Sequence, residues 1–419
     1  MSEGRLGSAV RAALPYMGVT IVTLVVLDLV LIATGLFPPV GRYGHADVGW
    51  VASPPSDSVL SYQCYDQPTR SSVTIQRNER GYRTDLSEVE LARPNDWFEL
   101  AVTGDSHTDQ CMTNEEMHFG VMAGELTAAG VENAVFSFGA GRYSPLQEYL
   151  AVVQGVRDFE SDALVINLYT GNDFYDILRV DDRPHLVESV DGYEIAPPVW
   201  YTFDDPTKVK RSRIAHAVGQ VSDQVGVGTT WTRLRYLRAA ARDQGGGVGS
   251  VVGYLSDIRR ATQSDAGYAA AFAAQILNQQ LFFWHFPGTR QESVDRIAYL
   301  LSMIREEHPG ILLVMSPIPS YQLAGEQPVD QMFLDVLESL PFTYEEGAQL
   351  EGELYAELRG VAESNGWLFV DNLETLRGYD RSERLYNDFD YHVTRTAMEL
   401  IGRTQAESIL EYLEGRGER

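Results

Sequence analysis

Four short segments carry the residue types that acyl chemistry needs. The apolar run Glu99-Leu100-Ala101-Val102 leads into Thr103-Gly104-Asp105-Ser106-His107-Thr108. A serine at a tight, glycine-containing strand end stands exposed above a sheet, and a helix that follows it can aim amide donors and a positive dipole end at it. Those are the requirements of a nucleophilic hydroxyl. The segment differs from the Gly-x-Ser-x-Gly elbow, because Thr108 stands where the second glycine belongs. A strand ending at Phe138 passes into Gly139-Ala140-Gly141-Arg142-Tyr143, and one ending at Tyr169 passes into Thr170-Gly171-Asn172-Asp173. An unobstructed glycine N–H and an asparagine amide are neutral donors suited to a developing oxyanion. The fourth segment is Tyr386-Asn387-Asp388-Phe389-Asp390-Tyr391-His392. Residues two apart in an extended segment face the same side, so Asp390 is expected to orient the His392 imidazole toward Ser106, with Asp388 as a competing orienter. His107 is a rival base, ranked as a pocket residue because neighbouring side chains at a turn usually diverge. Singly, each segment is more often a turn or a surface histidine; together they place nucleophile, donors and base on one sheet edge.

Elements able to position them alternate along the chain. Strands are expected over Phe98–Thr103, Ala134–Phe138, Ala163–Tyr169, Ile311–Ser316 and Trp367–Val370, each a short apolar or β-branched run. Helices are expected over Glu115–Ala129, Pro145–Arg157, Arg290–Glu307, Glu346–Ser364 and Thr394–Glu414. Such alternation predicts an α/β fold, a three-layer α/β/α sandwich with a central, mainly parallel sheet that binds ligands at its carboxyl edge. Residues 176–284 break the pattern. They hold a hairpin (His185–Glu188, a turn at Asp191-Gly192, Tyr193–Ile195) and then helix-like stretches divided by Gly245-Gly246-Gly247, and they read as an insertion or lid.

With those blocks in view, the sequence resembles the SGNH (GDSL-type) hydrolases. Gly104-Asp105-Ser106 matches the first block of that family, Gly141 the second, Gly171-Asn172-Asp173 the third and Asp390-Tyr391-His392 the last. It is similar in particular to the membrane-anchored bacterial branch, in which an Asn-x-x-Gly-(Phe/Tyr)-Arg segment precedes the catalytic strand, as Asn78-Glu79-Arg80-Gly81-Tyr82-Arg83 does here. The resemblance implies an SGNH-hydrolase/flavodoxin-like fold over 74–415. It implies Ser106 as nucleophile, His392 as general base and Asp390 as its orienter. Ser106, Gly141 and Asn172 would be the oxyanion donors, and Asp105, His107 and Asp173 would be pocket residues. Asp-x-His stands where family members commonly carry Asp-x-x-His, a spacing shared with some polysaccharide acetyl-transfer and acetyl-esterase relatives. His107 replaces an aromatic, and Asp109-Gln110-Cys111 displaces a usual glycine.

The N-terminus points to a membrane. Residues 13–36 lack Lys, Arg, Glu and His, and as a helix of about 24 residues they span roughly 36 Å against a hydrocarbon core of ~30 Å. An uncleaved anchor is favoured over a signal peptide, because the apolar run is long and Ala33-Thr34-Gly35 is a poor cleavage site. Arg5 and Arg11 put the tail 1–12 in the cytoplasm and everything after the anchor outside, as a single-pass cell-membrane protein, with 37–73 as linker and N-terminal extension. Asp28 inside the span is either a docking group for a membrane-protein partner or a protonated, tolerated acid.

Of the 419 residues, 59 are acidic and 33 basic, a formal charge of −26, and Lys208 and Lys210 are the only lysines. Nucleic acid is excluded as a partner, since phosphates need clustered cations. Cys64 and Cys111 either form one disulfide, closing a loop of roughly 47 residues, or are buried thiols. No cofactor is implied, nor a metal, because neither cysteine has a CxxC partner or a nearby pair of histidines. Three functions fit the residues. The first is an extracytoplasmic serine esterase or O-acyltransferase acting on acyl, chiefly acetyl, groups of cell-surface glycans or other small esters. The second is a catalytically silent glycan-binding or assembly component beside a membrane partner. The third is a lipase or thioesterase whose Phe282-Phe283-Trp284 segment forms an acyl groove.

Overall fold

The computed structural model describes residues 43–45, 49–51, 60–65, 72–78, 81–84, 97–159, 161–179, 184–190, 192–196, 248–262, 279–326, 340–387 and 391–416. The expected anchor at 13–36 with Asp28, most of the 176–284 insertion, and both Asp388 and Asp390 lie outside the described residues. Within them, no helix is long and apolar enough to cross a membrane.

Five parallel strands form the central sheet: β5 (Phe98–Gly104), β6 (Asn133–Ser137), β7 (Ala163–Asn167), β10 (Leu312–Met315) and β11 (Leu368–Phe369), in the order β11-β10-β7-β5-β6. The strands alternate strictly between two cores. Leu100, Val102, Val165 and Val314 face one side; Ala101, Leu164, Ile166, Leu313 and Met315 face the other. With both faces apolar, each must be covered by helices. On the first face lie α1 (His118–Ala128), α7 (Asn372–Gly378) and α8 (Arg395–Arg416), which supply Phe119, Leu376 and Ile401 to that core. On the second lie α2 (Pro145–Phe159), α5 (Thr289–Glu307) and α6 (Tyr344–Ser364), which supply Val152, Leu300 and Leu358. This is the expected three-layer parallel α/β architecture. The chain leaves β5 for β6 on one side and then crosses to β7 on the other. Counted from β5, that is the doubly wound order 2-1-3-4-5, with its switch point beside β5.

Three hairpins lie outside the sheet. They are β1 (Tyr43–His45) with β2 (Gly49–Val51), β3 (Leu60–Tyr65) with β4 (Ser72–Arg77), and β8 (His185–Ser189) with β9 (Gly192–Ala196). The last pairs Ser189 with Gly192 around the anticipated turn. It docks on α5, where Arg296 Nη1 donates to Leu186 O at 3.1 Å and Tyr299 Oη to Tyr193 O at 2.9 Å. Phe282 and Phe283, on the helical stretch 279–285, correct a sequence expectation. Both are fully buried in the core shared with α2 and α5, together with Tyr254 of α4 (Val248–Thr262), so they do not line an acyl groove. An apolar run reads the same in sequence whether it coats a groove or fills a core, and here close packing takes it.

Candidate active site

Ser106 sits at the carboxyl end of β5, the strand beside the switch point. The turn is closed by Thr108 N–H donating to Asp105 O at 3.1 Å, and it folds back tightly over the strand. A Cβ on Gly104 would fall on the Thr108 hydroxyl and within 2.9 Å of Asn167 O, so only glycine fits there. The helix expected over Glu115–Ala129 is α1, which begins at His118, so a loop separates it from the serine. The intervening loop is held from outside the sheet. Arg83 is fully buried and donates from Nε to Asn114 Oδ1 at 2.9 Å, from Nη1 to Gln110 O at 2.7 Å and from Nη2 to Met112 O. Arg77, at the end of β4, pairs with Asp109 at 2.5 Å. Cys111 in the same loop is disulfide-bonded, and Cys64 is the only other cysteine in the chain.

His392 reaches the serine from 286 positions away, with Nε2 at 2.8 Å from Ser106 Oγ. Its segment is a narrow antiparallel turn. Tyr386 bridges Val393, Asn387 N–H donates to His392 O at 2.8 Å, and Thr394 N–H donates to Leu385 O at 2.9 Å. Glu326 braces this turn by accepting Leu385 N–H at 3.0 Å and by pairing with Arg381 and Arg384. Tyr391 is left-handed at φ 56°, held by stacking on Tyr321 at 4.4 Å. The backbone at Tyr391 is therefore not extended, whereas the alternation expected from the sequence requires it to be; Asp390 itself lies outside the described residues. A bulky residue at positive φ marks a backbone that its surroundings over-determine.

Gly141 and Asn172 follow β6 and β7, the two neighbours of β5, so the sheet order sets the expected donors on either side of Ser106. Asn172 Nδ2 donates to Asp176 Oδ2 at 3.1 Å, which fixes the amide orientation and leaves its second N–H for another acceptor. The turn that carries Asn172 is tied from beneath. Asp173 Oδ2 accepts Tyr169 N–H at 2.6 Å, and Glu351 of α6 accepts hydroxyl donors from Thr170 and Ser320. A Cβ on Gly171 would lie 2.6 Å from the Tyr169 ring.

The three anticipated pocket residues are buried under the serine rather than lining open surface: Asp105, His107 and Asp173 are each at most 2% exposed. Burial pushes the Asp105 carboxyl up to about 6, against the opposing pull of His107 N–H and of His392. Glu148 and Asp173 are also pushed well up, first by burial and then by neighbouring carboxylates. Neither Glu148 oxygen has a hydrogen-bond partner among the described residues. Burial drives His107 well below the ordinary histidine range, with His392 and His118 adding repulsion, so at neutral pH it is an uncharged ring and a poor base. Glu351, Arg77 and Glu326 carry no local motif, and each acts through a partner distant in sequence. Among the described residues no cluster of His, Cys, Asp and Glu could hold a metal ion.

No protein-family model matches the chain, and no curated protein matches it. Several solved structures superpose on it. A catalytic mutant of Axe2, an acetylxylan esterase from Geobacillus stearothermophilus, does so at 10% identity and a TM-score of 0.36, covering 75% of this chain and 95% of that one. LAE5, an alpha/beta hydrolase from the metagenome of Lake Arreo, Spain, gives 11% and 0.34 over 74% and 94%. TesA gives 11% and 0.34 over 74% and 97%. These likenesses concern the path of the chain alone.

The buried acids fix a sign for stability. Between 3.8, the ordinary Asp value, and about 6, folded Asp105 keeps a proton that the unfolded chain has released, so its contribution falls as pH rises through that window and stays low above it. Asp105→Asn, which still accepts the His107 N–H, is expected to raise Tm at pH 8 by a few degrees and to leave it unchanged at pH 4. Thermal unfolding followed at the two pH values checks this.

Proposed function

We propose that this chain is a serine hydrolase or O-acyltransferase acting on ester-linked acyl groups. The observation that carries the reading is the 2.8 Å contact of Ser106 Oγ with His392 Nε2 at the carboxyl edge of the parallel sheet, beside its switch point. His392 takes the hydroxyl proton as Ser106 Oγ bonds to the ester carbonyl carbon. The resulting oxyanion accepts hydrogen bonds from the N–H groups of Ser106 and Gly141 and from the Asn172 amide. Collapse of the intermediate breaks the C–O bond, and the departing alcohol takes the proton from His392. Water, or the hydroxyl of an acceptor, then attacks the acyl-enzyme through the same base, which frees Ser106 and releases an acid or a new ester. The buried Asp105 carboxylate, once ionised, favours the transient imidazolium; Asp390 takes the orienting role in this reading because Asp390-Tyr391-His392 resembles the last block of the SGNH hydrolases.

The finer reading is an extracytoplasmic enzyme tethered by 13–36 and acting on acetylated surface glycans. The apolar N-terminal run, in which Asp28 is the only charged side chain, supports the tether, and a disulfide at Cys111 suits an oxidising compartment. The charge of −26 disfavours anionic substrates and so favours neutral acylated sugars. A fluorophosphonate probe tests the chemistry: mass spectrometry of the labelled protein should find one adduct, on Ser106. An unlabelled protein, or labelling that persists in Ser106→Ala, would return the chain to the class of silent binding components.

A further inference from the structure

The ring of His107 lies between two others. It stacks on Tyr169 with centroids 3.9 Å apart and planes at 25°, and its other neighbour is the His392 ring at 4.7 Å and 46°. Its own backbone is pinned as well, since its N–H donates to Asp105 Oδ1 at 2.8 Å. At 1% exposure it has no room to change rotamer freely, and its Nδ1 has no hydrogen-bond partner among the described residues. A polar ring buried this way is retained for its face rather than for its nitrogens. Behind Tyr169 the packing continues to Gly171, where any Cβ would strike the ring. One column of contacts thus runs from the turn that carries Asn172, through Tyr169 and His107, to the base.

We infer that His107 is a positioning residue for His392, and that through Tyr169 it ties the placement of the base to the turn that carries the Asn172 donor. The inference rests on the assignment of Ser106 and His392 as nucleophile and base. His392 touches Ser106 through Nε2 and lies tilted at 46° against the His107 ring, so two contacts restrain one imidazole. The π-electrons of that neighbouring ring also favour the imidazolium that forms when Ser106 gives up its proton. The ionisable groups around this column include Asp105, Asp173, Asp176, Glu351, His118, Tyr169 and Tyr386 together with the two histidines.

Two replacements separate the ring from its nitrogens. His107→Phe keeps a flat π-face and is expected to hold kcat on p-nitrophenyl acetate within about 3-fold. His107→Leu should lower kcat by about 10- to 100-fold with KM nearly unchanged, and should move the acid limb of kcat/KM to lower pH by about half to one unit. The full chain with 13C-labelled histidine gives a reading that does not depend on activity. The His392 ring protons should stay sharp and ring-current-shifted in wild type and His107→Phe, and should move and broaden in His107→Leu. If His107→Leu does not fold, Tyr169→Leu removes the other support and should give the same response. Equal loss in the Phe and Leu variants, or His392 resonances and acid limb unmoved in His107→Leu, overturns the inference. Ester cleavage that is absent from wild type or independent of Ser106 fails the proposed function instead, and the resonances still decide the column.

Discussion

His392→Ala should lower kcat for ester cleavage by on the order of 10^4- to 10^6-fold, with KM changed only slightly, and Ser106→Ala should do the same. The two effects arise from one unit. Without the imidazole 2.8 Å from Oγ, the serine has no acceptor for its proton. Without the serine, the base has no nucleophile to activate. Their double variant should therefore be no slower than either single one, in contrast to the additive loss expected of independent groups. Steady-state rates of the three proteins on p-nitrophenyl acetate, with binding of an unreactive ester analogue as control, check this. Multiplying losses would mean that the contact is packing rather than catalysis.

Arg83→Met is expected to cost about 3–5 kcal/mol of folding stability, a large part of the 5–15 kcal/mol typical of a domain. The buried guanidinium donates to Asn114 Oδ1, Gln110 O and Met112 O, so its removal strands three acceptors at once. Arg83→Lys should recover only a fraction, since one ammonium cannot reach three acceptors spread around a planar fork. Urea unfolding should show a lowered midpoint at an unchanged slope. A loss under about 1 kcal/mol would mean that the loop after Ser106 is held without Arg83, by Arg77, Cys111 and α1.

What could be read from the sequence divides along physical lines. The central strands were legible as short apolar or β-branched runs, most plainly Ala163–Asn167, where every residue is buried. The helices between them were legible as helical stretches, although α6 starts at Tyr344, ahead of the expected Glu346, behind a Thr343-to-Glu346 capping box that the sequence expectation did not include. Seven-residue α7 was missed because two turns hold too few apolar positions to show a period. At the site, Ser106, Gly141, Asn172 and His392 announce themselves because strand-end turns need small and polar residues in a short window. Their supports do not. Arg83 meets Gln110 across 27 positions and Thr170 meets Glu351 across 181, and nothing local to a buried arginine or glutamate says which carbonyl or hydroxyl it will find. Likewise the left-handed turn at Tyr391 is set by a stack on Tyr321, so a strand-like alternation assumed from spacing alone went astray there. His107 was set aside by a rule about neighbours at turns, yet His392 is large enough to touch both it and Ser106.

The long reach between nucleophile and base also governs when the centre can exist. Ser106 has emerged and its strand can pair long before His392 is synthesised, 286 positions later, and the segment that delivers the base leads into α8. The gap is bridged by the whole sheet, because Gln405 of α8 reaches Asn167 of β7 and Ser316 just past β10. A chain interrupted anywhere before residue 391 would hold its serine without an activator. Such a nascent or clipped product would lack the Ser106–His392 contact on which the proposed ester chemistry rests.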